Sequence, residues 1–404
     1  MSDVPTAYCL SPYSWSRFRT RVIQLGETPL GGDYPVRVQS MTNTPTQDIH
    51  ATVKQCIRLA EAGAEYIRIT TPARSDVECL AGIKKELRKQ GFLTPLIADV
   101  HFNPKVAEEA ARIVEKVRIN PGNYVDRKKD KVVSYSEAAY REELDRIRDR
   151  IRPLIKICKE YGTAIRIGTN HGSLSERIID RFGDTPEGMV ESALEFAGIC
   201  EDLDFRNVVL SMKSSNVKVM VHSTRLLVAR MRAGYMDYPI HLGVTEAGAG
   251  EDGILKSAIG IGTMLIDGIG DTIRVSLTGD PVEEIPVAYN LLQASRTRIT
   301  KTEFIACPSC GRTQFDISGT LREVERSTGH LKGLKIAVMG CLVNGPGEMA
   351  DADYGYVGAG KGLISLYRGK EIIKKNIPGD QAIPELLQLI RADGKWEDPP
   401  GSSR

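Results

Sequence analysis

Cys307 and Cys310 form a C-x-x-C in the segment FIACPSCGR, Cys341 follows in MGCLVNGPGE, and Glu348 ends that second segment. Two thiolates on one tight turn can clasp a soft metal centre, and a third from a separate loop brings the site to three protein sulfurs. Four would close a structural zinc or iron–sulfur site, whereas three leave a position for chemistry. Pro308, Gly311, Gly340, Gly345 and Gly347 flank the thiols, and glycines let backbone amides approach cluster sulfurs. The spacing favours an iron–sulfur cluster. A structural zinc completed by His330 is the alternative, and three cysteines equally permit a three-iron form.

A second group of reactive residues lies in short β-branched runs upstream: VRVQSMT (36–42), YIRITT (66–71), PLIADVH (95–101), KVRIN (116–120), AIRIGTN (164–170), VVLSMK (208–213), IHLGVTE (240–246) and TIRVSLT (272–278). Side chains alternate faces along a strand, so one parity meets the outer helices and the other the interior. Ile67 and Ile69 take the apolar parity, which leaves Arg68 and Thr70 inward. The same parity collects Arg118 with Asn120, Arg166 with Asn170, Arg274 with Ser276, Asp99 with His101, Ser211 with Lys213, and His241. Arg37 shares it but sits early in its strand, toward the far end. Four arginines and a lysine converging inside a barrel repel one another unless an anion neutralises them. Guanidinium forks suit phosphate oxygens, so a highly charged phosphate ester is the expected ligand. Structural pairing of these cations with Asp99 and Glu246 is the competing reading. Glu246, at the end of the seventh run, is also a candidate proton donor if burial raises its pKa.

The elements that must hold these residues alternate strand and helix from about residue 36 to 295. Eight strand–helix units match a TIM (β/α)8 barrel, with a doubly wound sheet as runner-up. That rival lacks its Gly-rich turn after the first strand, and the short pieces GAGAGEDG and GAGKG have no nucleotide-binding frame around them. The stretch RIIDRFGDTPEGMVESALEFAGIC is expected to break at Gly183 and Pro186. The charged stretch 124–150 is expected to leave the surface and become the helix before the fifth strand. The chain divides into residues 1–295, the substrate-binding barrel, and 296–404, a smaller α/β cluster domain whose polar tail from about Asp393 is expected to be disordered.

Composition narrows the class. The chain has 404 residues, with 54 basic and 52 acidic side chains for a net charge of +2, which argues against a general nucleic-acid or membrane-surface binder. No apolar run reaches a membrane span. The N-terminus lacks an apolar signal core and reads as a lead-in to the first strand. Eight cysteines in so large a chain do not look like a disulfide framework. Cys56, Cys79, Cys158 and Cys200 read as buried thiols, and a reducing cytoplasm is the expected compartment.

The phrases VQSMTNT, ADVHFNP, RINPGN, IRIGTNHGSL, HLGVTEAG, KSAIGIG, GDTIRVSLT, DPVEEI, ACPSCGR and GCLVNGPGE, in this order, resemble the 4-hydroxy-3-methylbut-2-enyl diphosphate synthase family (IspG/GcpE), iron–sulfur oxidoreductases of the methylerythritol phosphate route to isoprenoids. The resemblance covers nearly the whole chain. It implies a TIM barrel that binds 2-C-methyl-D-erythritol 2,4-cyclodiphosphate and a C-terminal domain with a 4Fe-4S cluster. It also implies Cys307, Cys310 and Cys341 as thiolate ligands and Glu348 as the displaceable carboxylate on the fourth iron. Arg68, His101, Arg118, Arg166, Asn170, Lys213, Arg274 and Ser276 are the implied diphosphate contacts, with Glu246 the acid. The reaction expected from it is reductive ring opening and dehydroxylation to (E)-4-hydroxy-3-methylbut-2-enyl diphosphate, with electrons from ferredoxin or flavodoxin. A head-to-tail homodimer, each cluster domain capping the partner's barrel, is implied as well. The charged 124–150 segment is longer than in compact bacterial members, and the large domain that plant-type members insert after the barrel has no room here.

Overall fold

The computed structural model describes residues 7–125, 134–343 and 345–399. They form two compact units, one ending at Thr297 and the other beginning at Arg298.

In the first unit the β-branched runs become parallel strands: β1 (Arg37–Met41), β2 (Tyr66–Thr70), β3 (Leu96–Asp99), β4 (Lys116–Ile119), β5 (Ala164–Asn170), β6 (Val208–Lys213), β7 (His241–Leu242) and β8 (Thr272–Ile273). Their hydrogen-bonded order is β6-β5-β4-β3-β2-β1-β8-β7. A parallel bridge between Leu210 and Ile240 brings β6 against β7 and all but closes the ring. This is the TIM barrel expected from the alternation of elements. Two strands shrink to a pair of residues, β7 stopping at Leu242 and β8 at Ile273, so Glu246, Arg274 and Ser276 lie beyond regular pairing.

The outward parity builds the main core. Val38, Ile67, Ile69, Val117, Ile119, Ile165, Ile167, Leu210, Leu242 and Ile273 pack, fully buried, against the surrounding helices; each such side chain contributes about 1.5–3 kcal/mol. The helices start where the sequence offers caps. Asp48 accepts from the Ala51 amide and opens Ile49–Glu61, whose Val53, Cys56 and Leu59 face inward, and Ser136 caps Glu137–Tyr161. The expected break is present: Glu176–Phe182 ends at Gly183, with φ 72°, and Pro186–Asp202 restarts behind a Thr185 cap. Of the charged 124–150 stretch, residues 126–133 lie outside the described residues, and the helix resumes at Glu137. Cys56, Cys158 and Cys200 are buried as expected, but Cys79 is only half-buried.

The end of the barrel nearest the strand N-termini is plugged. The chain before β1 forms an antiparallel bridge between Ile23 and Leu30, and Ile23, Leu25 and Leu30 pack on the interior residues Tyr66, Ile97, Ala164 and Val209. Arg37 pairs there with Glu65 at 2.7 Å. Buried Asp271 ties the plug in, accepting from Thr20 Oγ1 (3.0 Å), Arg17 Nη2 (2.9 Å) and the Ile240 amide (2.8 Å).

The second unit is a five-stranded sheet of order β13-β12-β11-β10-β9: β9 (Glu303–Ala306), β10 (Lys335–Met339), β11 (Tyr354–Gly360), β12 (Leu363–Arg368) and β13 (Glu371–Pro378). The first three are parallel and the last two antiparallel. Helices Ile317–Thr328 and Gly379–Ala392 lay Val324, Leu386 and Ile390 on it. The stretch expected to be disordered from Asp393 instead returns to this unit as far as Pro399. Asp393 accepts from Arg368 Nε (2.8 Å) and Tyr354 Oη (2.9 Å), and the Glu397 carbonyl lies 2.8 Å from His330 Nε2. Residues 400–404 lie outside the described residues.

Two glycines test this packing. A Cβ at Gly122 would stand 1.9 Å from the Ser173 carbonyl oxygen, whereas one at Gly198, inside helix Pro186–Asp202, meets nothing within 4 Å. Gly122→Ala should destabilise by about 1–3 kcal/mol, and Gly198→Ala should stabilise by about 0.5–1 kcal/mol. Calorimetric melting of the two variants should move in opposite directions.

Candidate active site

Inward-facing residues of alternate strands share a layer in a closed eight-stranded barrel. The strand registers put Gln39, Ile97, Arg166 and His241, from β1, β3, β5 and β7, in one layer. Arg68, Arg118, Ser211 and Arg274 form the layer above, and Tyr66, Lys116, Val209 and Thr272 the layer below. Higher still come Met41, Asp99, Gly168 and Gly243, then Thr70, Asn120, Lys213 and Ser276 at the mouth. Where small hydrophobic side chains usually fill such a barrel, the upper half of this one is charged.

Asp99 is the hub of that charge. Arg118 Nη1 donates to its Oδ1 at 3.3 Å, Arg68 Nε lies 3.8 Å from its Oδ2, and His101 Nε2 lies 3.3 Å from Oδ2. Arg118 also reaches His101 Nε2 at 2.7 Å and the Gly168 carbonyl at 3.0 Å. Burial alone would raise the Asp99 carboxyl, but Arg68, Arg118 and His101 together hold it well below the usual carboxylate range. Arg274 is paired differently, through Nη2 and Nε to Glu284 at 3.3 and 3.4 Å, and its Nη1 lies 3.3 Å from Met41 Sδ.

Among the described residues, Arg166, Lys116 and Lys213 form no such ion pair. Arg166 is 1% exposed, and its Nε and Nη1 are buried without a hydrogen bond; Lys116 Nζ is likewise buried and unbonded, lying 4.9 Å from the Tyr66 ring centroid. Burial, then mutual repulsion with Arg166 and Arg68, pushes Lys116 well below the ordinary lysine range. Lys213 is pushed down by burial, Arg166, Arg68, Arg274 and Arg118, and Arg166 by burial, Arg68 and Arg118. Arg68 is lowered to about 10, chiefly by burial. Two glycines make room for this crowding. A Cβ at Gly168 would stand 2.6 Å from Arg118 Nε, and one at Gly243 would stand 2.6 Å from Lys213 Nζ.

Of the residues expected to contact diphosphate, Arg68, Arg118, Arg166, Lys213 and Arg274 converge in the interior. Asn170, at the end of β5, keeps a buried Oδ1 without a partner. His101 and Ser276 lie just past β3 and β8 and are half-buried. Glu246 stands apart: it is exposed, in the loop after β7, with φ 52°. Among the described residues it forms no ion pair with the barrel arginines, so the competing reading in which it balances them is not met. The left-handed conformation is unfavourable for a non-glycine residue and is a mark of functional loops. Sequence reasoning passed over Lys116, which shares its parity with Arg118, and Glu284, which arrives from helix Glu284–Ala294.

In the second unit Cys307 follows β9 and Cys341 follows β10, at the same end of two adjacent parallel strands. Cys310 is exposed in the loop beyond β9, and Glu348 is exposed at the end of the short helix Gly345–Glu348. All three thiols are free, and Arg312 is within electrostatic reach of each. Its amide and guanidinium hold the Cys310 thiol below the ordinary range. Among the described residues no group of three or more His, Cys, Asp or Glu side chains is gathered closely enough to hold a metal ion. In donor chemistry the set fits an iron–sulfur cluster: three soft thiols at one sheet end beside a cation that favours thiolates. His330 does not join it. It sits at the opposite, N-terminal end of these strands, against Trp396 and the Glu397 carbonyl, so a zinc site completed by that histidine is not formed. Gly340 and Gly345 serve close packing, with a Cβ meeting Thr313 Oγ1 at 3.0 Å or Met339 Cβ at 3.1 Å.

Residues 20–289 match the GcpE TIM-barrel domain model and residues 303–392 the GcpE protein C-terminal domain model. The 4-hydroxy-3-methylbut-2-en-1-yl diphosphate synthase (ferredoxin) of Crocosphaera subtropica is 55% identical over 385 residues, covering 95% of each chain. The protein of the same name from Trichormus variabilis is 55% identical, covering 95% of this chain and 94% of its own. Among solved structures, a dihydropteroate synthase from Burkholderia cenocepacia aligns at 14% identity over 69% of this chain and 99% of that one, with a TM-score of 0.40, too low to carry an argument.

The glycine opposite Arg118 should be needed for grip more than for folding. Gly168→Ala displaces a flexible guanidinium rather than backbone, so melting should change little. Inorganic pyrophosphate affinity should fall about tenfold, the loss of one charge-assisted contact, as read by calorimetric titration. Asp99 should give the barrel an acid limit. Its contribution is complete above the unfolded carboxylate value of about 3.9 and is lost as pH falls through the lower folded value. Melting temperature followed below about pH 4 should therefore drop more steeply for the wild type than for Asp99→Asn.

Proposed function

The chain belongs to the GcpE family of oxidoreductases, and we propose that it converts 2-C-methyl-D-erythritol 2,4-cyclodiphosphate to (E)-4-hydroxy-3-methylbut-2-enyl diphosphate, using two electrons from reduced ferredoxin. The observation that carries this reading is the charge imbalance inside the barrel. Arg68, Lys116, Arg118, Arg166, Lys213 and Arg274 are set against the buried carboxylates Asp99 and Glu284. A diphosphate supplies the missing negative charge, in a shape that forked guanidiniums bind well.

The diphosphate is held by Arg68, Arg118, Arg166, Lys213 and Arg274, with Asn170, His101 and Ser276 at the rim. Opening the ring breaks a C–O ester bond and leaves one more negative charge on the phosphates, which the same cations stabilise as it develops. The fixed grip holds the carbon skeleton at the barrel mouth. Glu246, exposed in the loop above β7, relays a proton from solvent to the departing hydroxyl in this reading, and the hydroxyl leaves as water. Overall the substrate gains two electrons and two protons and loses one water. Cys307, Cys310 and Cys341, with Glu348 as a replaceable oxygen ligand, would hold a 4Fe-4S cluster, which would supply the electrons; a hard carboxylate leaves iron more readily than a thiolate does.

Grip and thiols belong to different folding units. Helix Glu284–Ala294 returns the chain to the barrel end remote from the mouth, where Ser295 and Arg296 lie beside Ile266 and Asp267. That course supports a head-to-tail homodimer in which each complete site draws on two chains.

Complementation tests both points. A chain carrying Cys307→Ser and Glu348→Ala, mixed with a chain carrying Arg166→Ala, should recover activity with at most one intact site per dimer. A mixture as inactive as its parents would overturn the shared site. Alone, Arg166→Ala should raise the Michaelis constant at least tenfold, and an unchanged constant would sink the diphosphate assignment. Cys341→Ser should abolish both visible absorption and turnover, while Glu348→Gln should keep the colour and slow turnover.

A further inference from the structure

His241 is wholly buried, and neither Nδ1 nor Nε2 has a hydrogen-bond partner. It shares its layer with Arg166, Ile97 and Gln39, below Ser211 and above Lys116 and Thr272. Gln39, Ser211 and Thr272 also keep buried polar atoms without partners. Leu242 packs in the outer core, so strand alternation turns His241 to the barrel interior, where the field at the ring arises. Arg68 and Arg118 are balanced in part by Asp99 from β3, and Arg274 by Glu284. Tyr66 from β2 is tied to the Thr28 carbonyl at 2.8 Å. Lys116 from β4, Arg166 from β5 and Lys213 from β6 remain uncompensated.

We propose that His241 is a buried proton acceptor that becomes cationic when a diphosphate is seated above it. This rests on the reading of the barrel mouth as a diphosphate site. In the free protein burial, then Lys213, Arg166, Lys116 and Arg68, holds the imidazole well below its ordinary range, so it is neutral at physiological pH. A seated diphosphate brings several negative charges into the layers above and reverses the sign of the field at the ring. A proton then passes from solvent to the free ring nitrogen, and no other bond changes. Ring opening adds a further charge to the phosphates, so the extra cation is worth most after the C–O bond has broken. His241 acts through Arg166 and Lys213, as a positioning residue that matches interior charge to ligand charge. Gln39, in the same layer, keeps a side-chain carbonyl without a partner, an acceptor for the second N–H that the imidazolium gains.

The probe is inorganic pyrophosphate, titrated anaerobically into the full-length, cluster-loaded protein near neutral pH, in buffers of different ionisation enthalpy. Wild type should bind with uptake of up to about one proton more than His241→Asn. In the wild type labelled with 15N-histidine, one ring should pass from neutral to imidazolium as pyrophosphate is added, and that signal should be missing in the variant. This second readout does not depend on the variant folding well. Binding with equal proton uptake, or with no ring changing state, overturns the inference and leaves the diphosphate reading intact. Absence of any wild-type binding overturns both.

Discussion

Positive charge held inside a closed barrel, with too little negative charge to balance it, is the constraint on which the rest of this protein is built. Two unit charges about 4 Å apart interact by about 4 kcal/mol at an effective dielectric of 20. Several such repulsions among Arg68, Lys116, Arg118, Arg166 and Lys213 oppose folding of the empty barrel. The fold tolerates them because the outward faces of the same strands bury a continuous apolar layer around the ring, and because Asp99 and Glu284 each hold down part of the excess. The remainder is stored. An anion that enters the mouth gains its own contacts and also relieves repulsion already present, so the site is strongest for ligands carrying more than one negative charge.

Asp99 and the glycines show how that excess is arranged rather than merely endured. Asp99 leaves β3 between Arg68 on one side and Arg118 on the other, spacing two guanidiniums that would otherwise converge. Gly168 and Gly243 lie in the same layer, and each leaves the volume of a methyl group to a cationic side chain from a neighbouring strand. Charge, counter-charge and empty volume are therefore set by strand register, the least deformable feature of a barrel.

Register also explains what the sequence disclosed. Alternation with period two depends only on local order, so the inward set from Arg68 to Ser276 could be read directly from the strings IRIT, VRI, IRIG and IRVS. Lys116 obeys the same rule, two residues before Arg118, and the layers put it in the interior beneath Arg166. Glu284 could not be found this way, since its role depends on a helix packing back against Arg274. Nor could the exposure of Glu246, because regular pairing in β7 ends at Leu242, earlier than its β-branched run suggested. Family resemblance, which rests on whole motifs, supplied residue roles that periodicity alone leaves open.

The two chemistries differ in the rigidity they need, and the chain places them accordingly. The diphosphate grip proposed above would demand several donors in fixed positions, and Arg68, Arg118, Arg166 and Lys213 stand on paired strands, with Arg274 immediately past β8. Cys307 and Cys341 take the same kind of position, next to the register that pairs Ala306 with Val338. Cys310 instead occupies an exposed loop, and Glu348 ends the short helix Gly345–Glu348, exposed. For the replaceable ligand proposed above, a place on a single helical turn outside the sheet would let the Glu348 carboxylate withdraw without disturbing a strand.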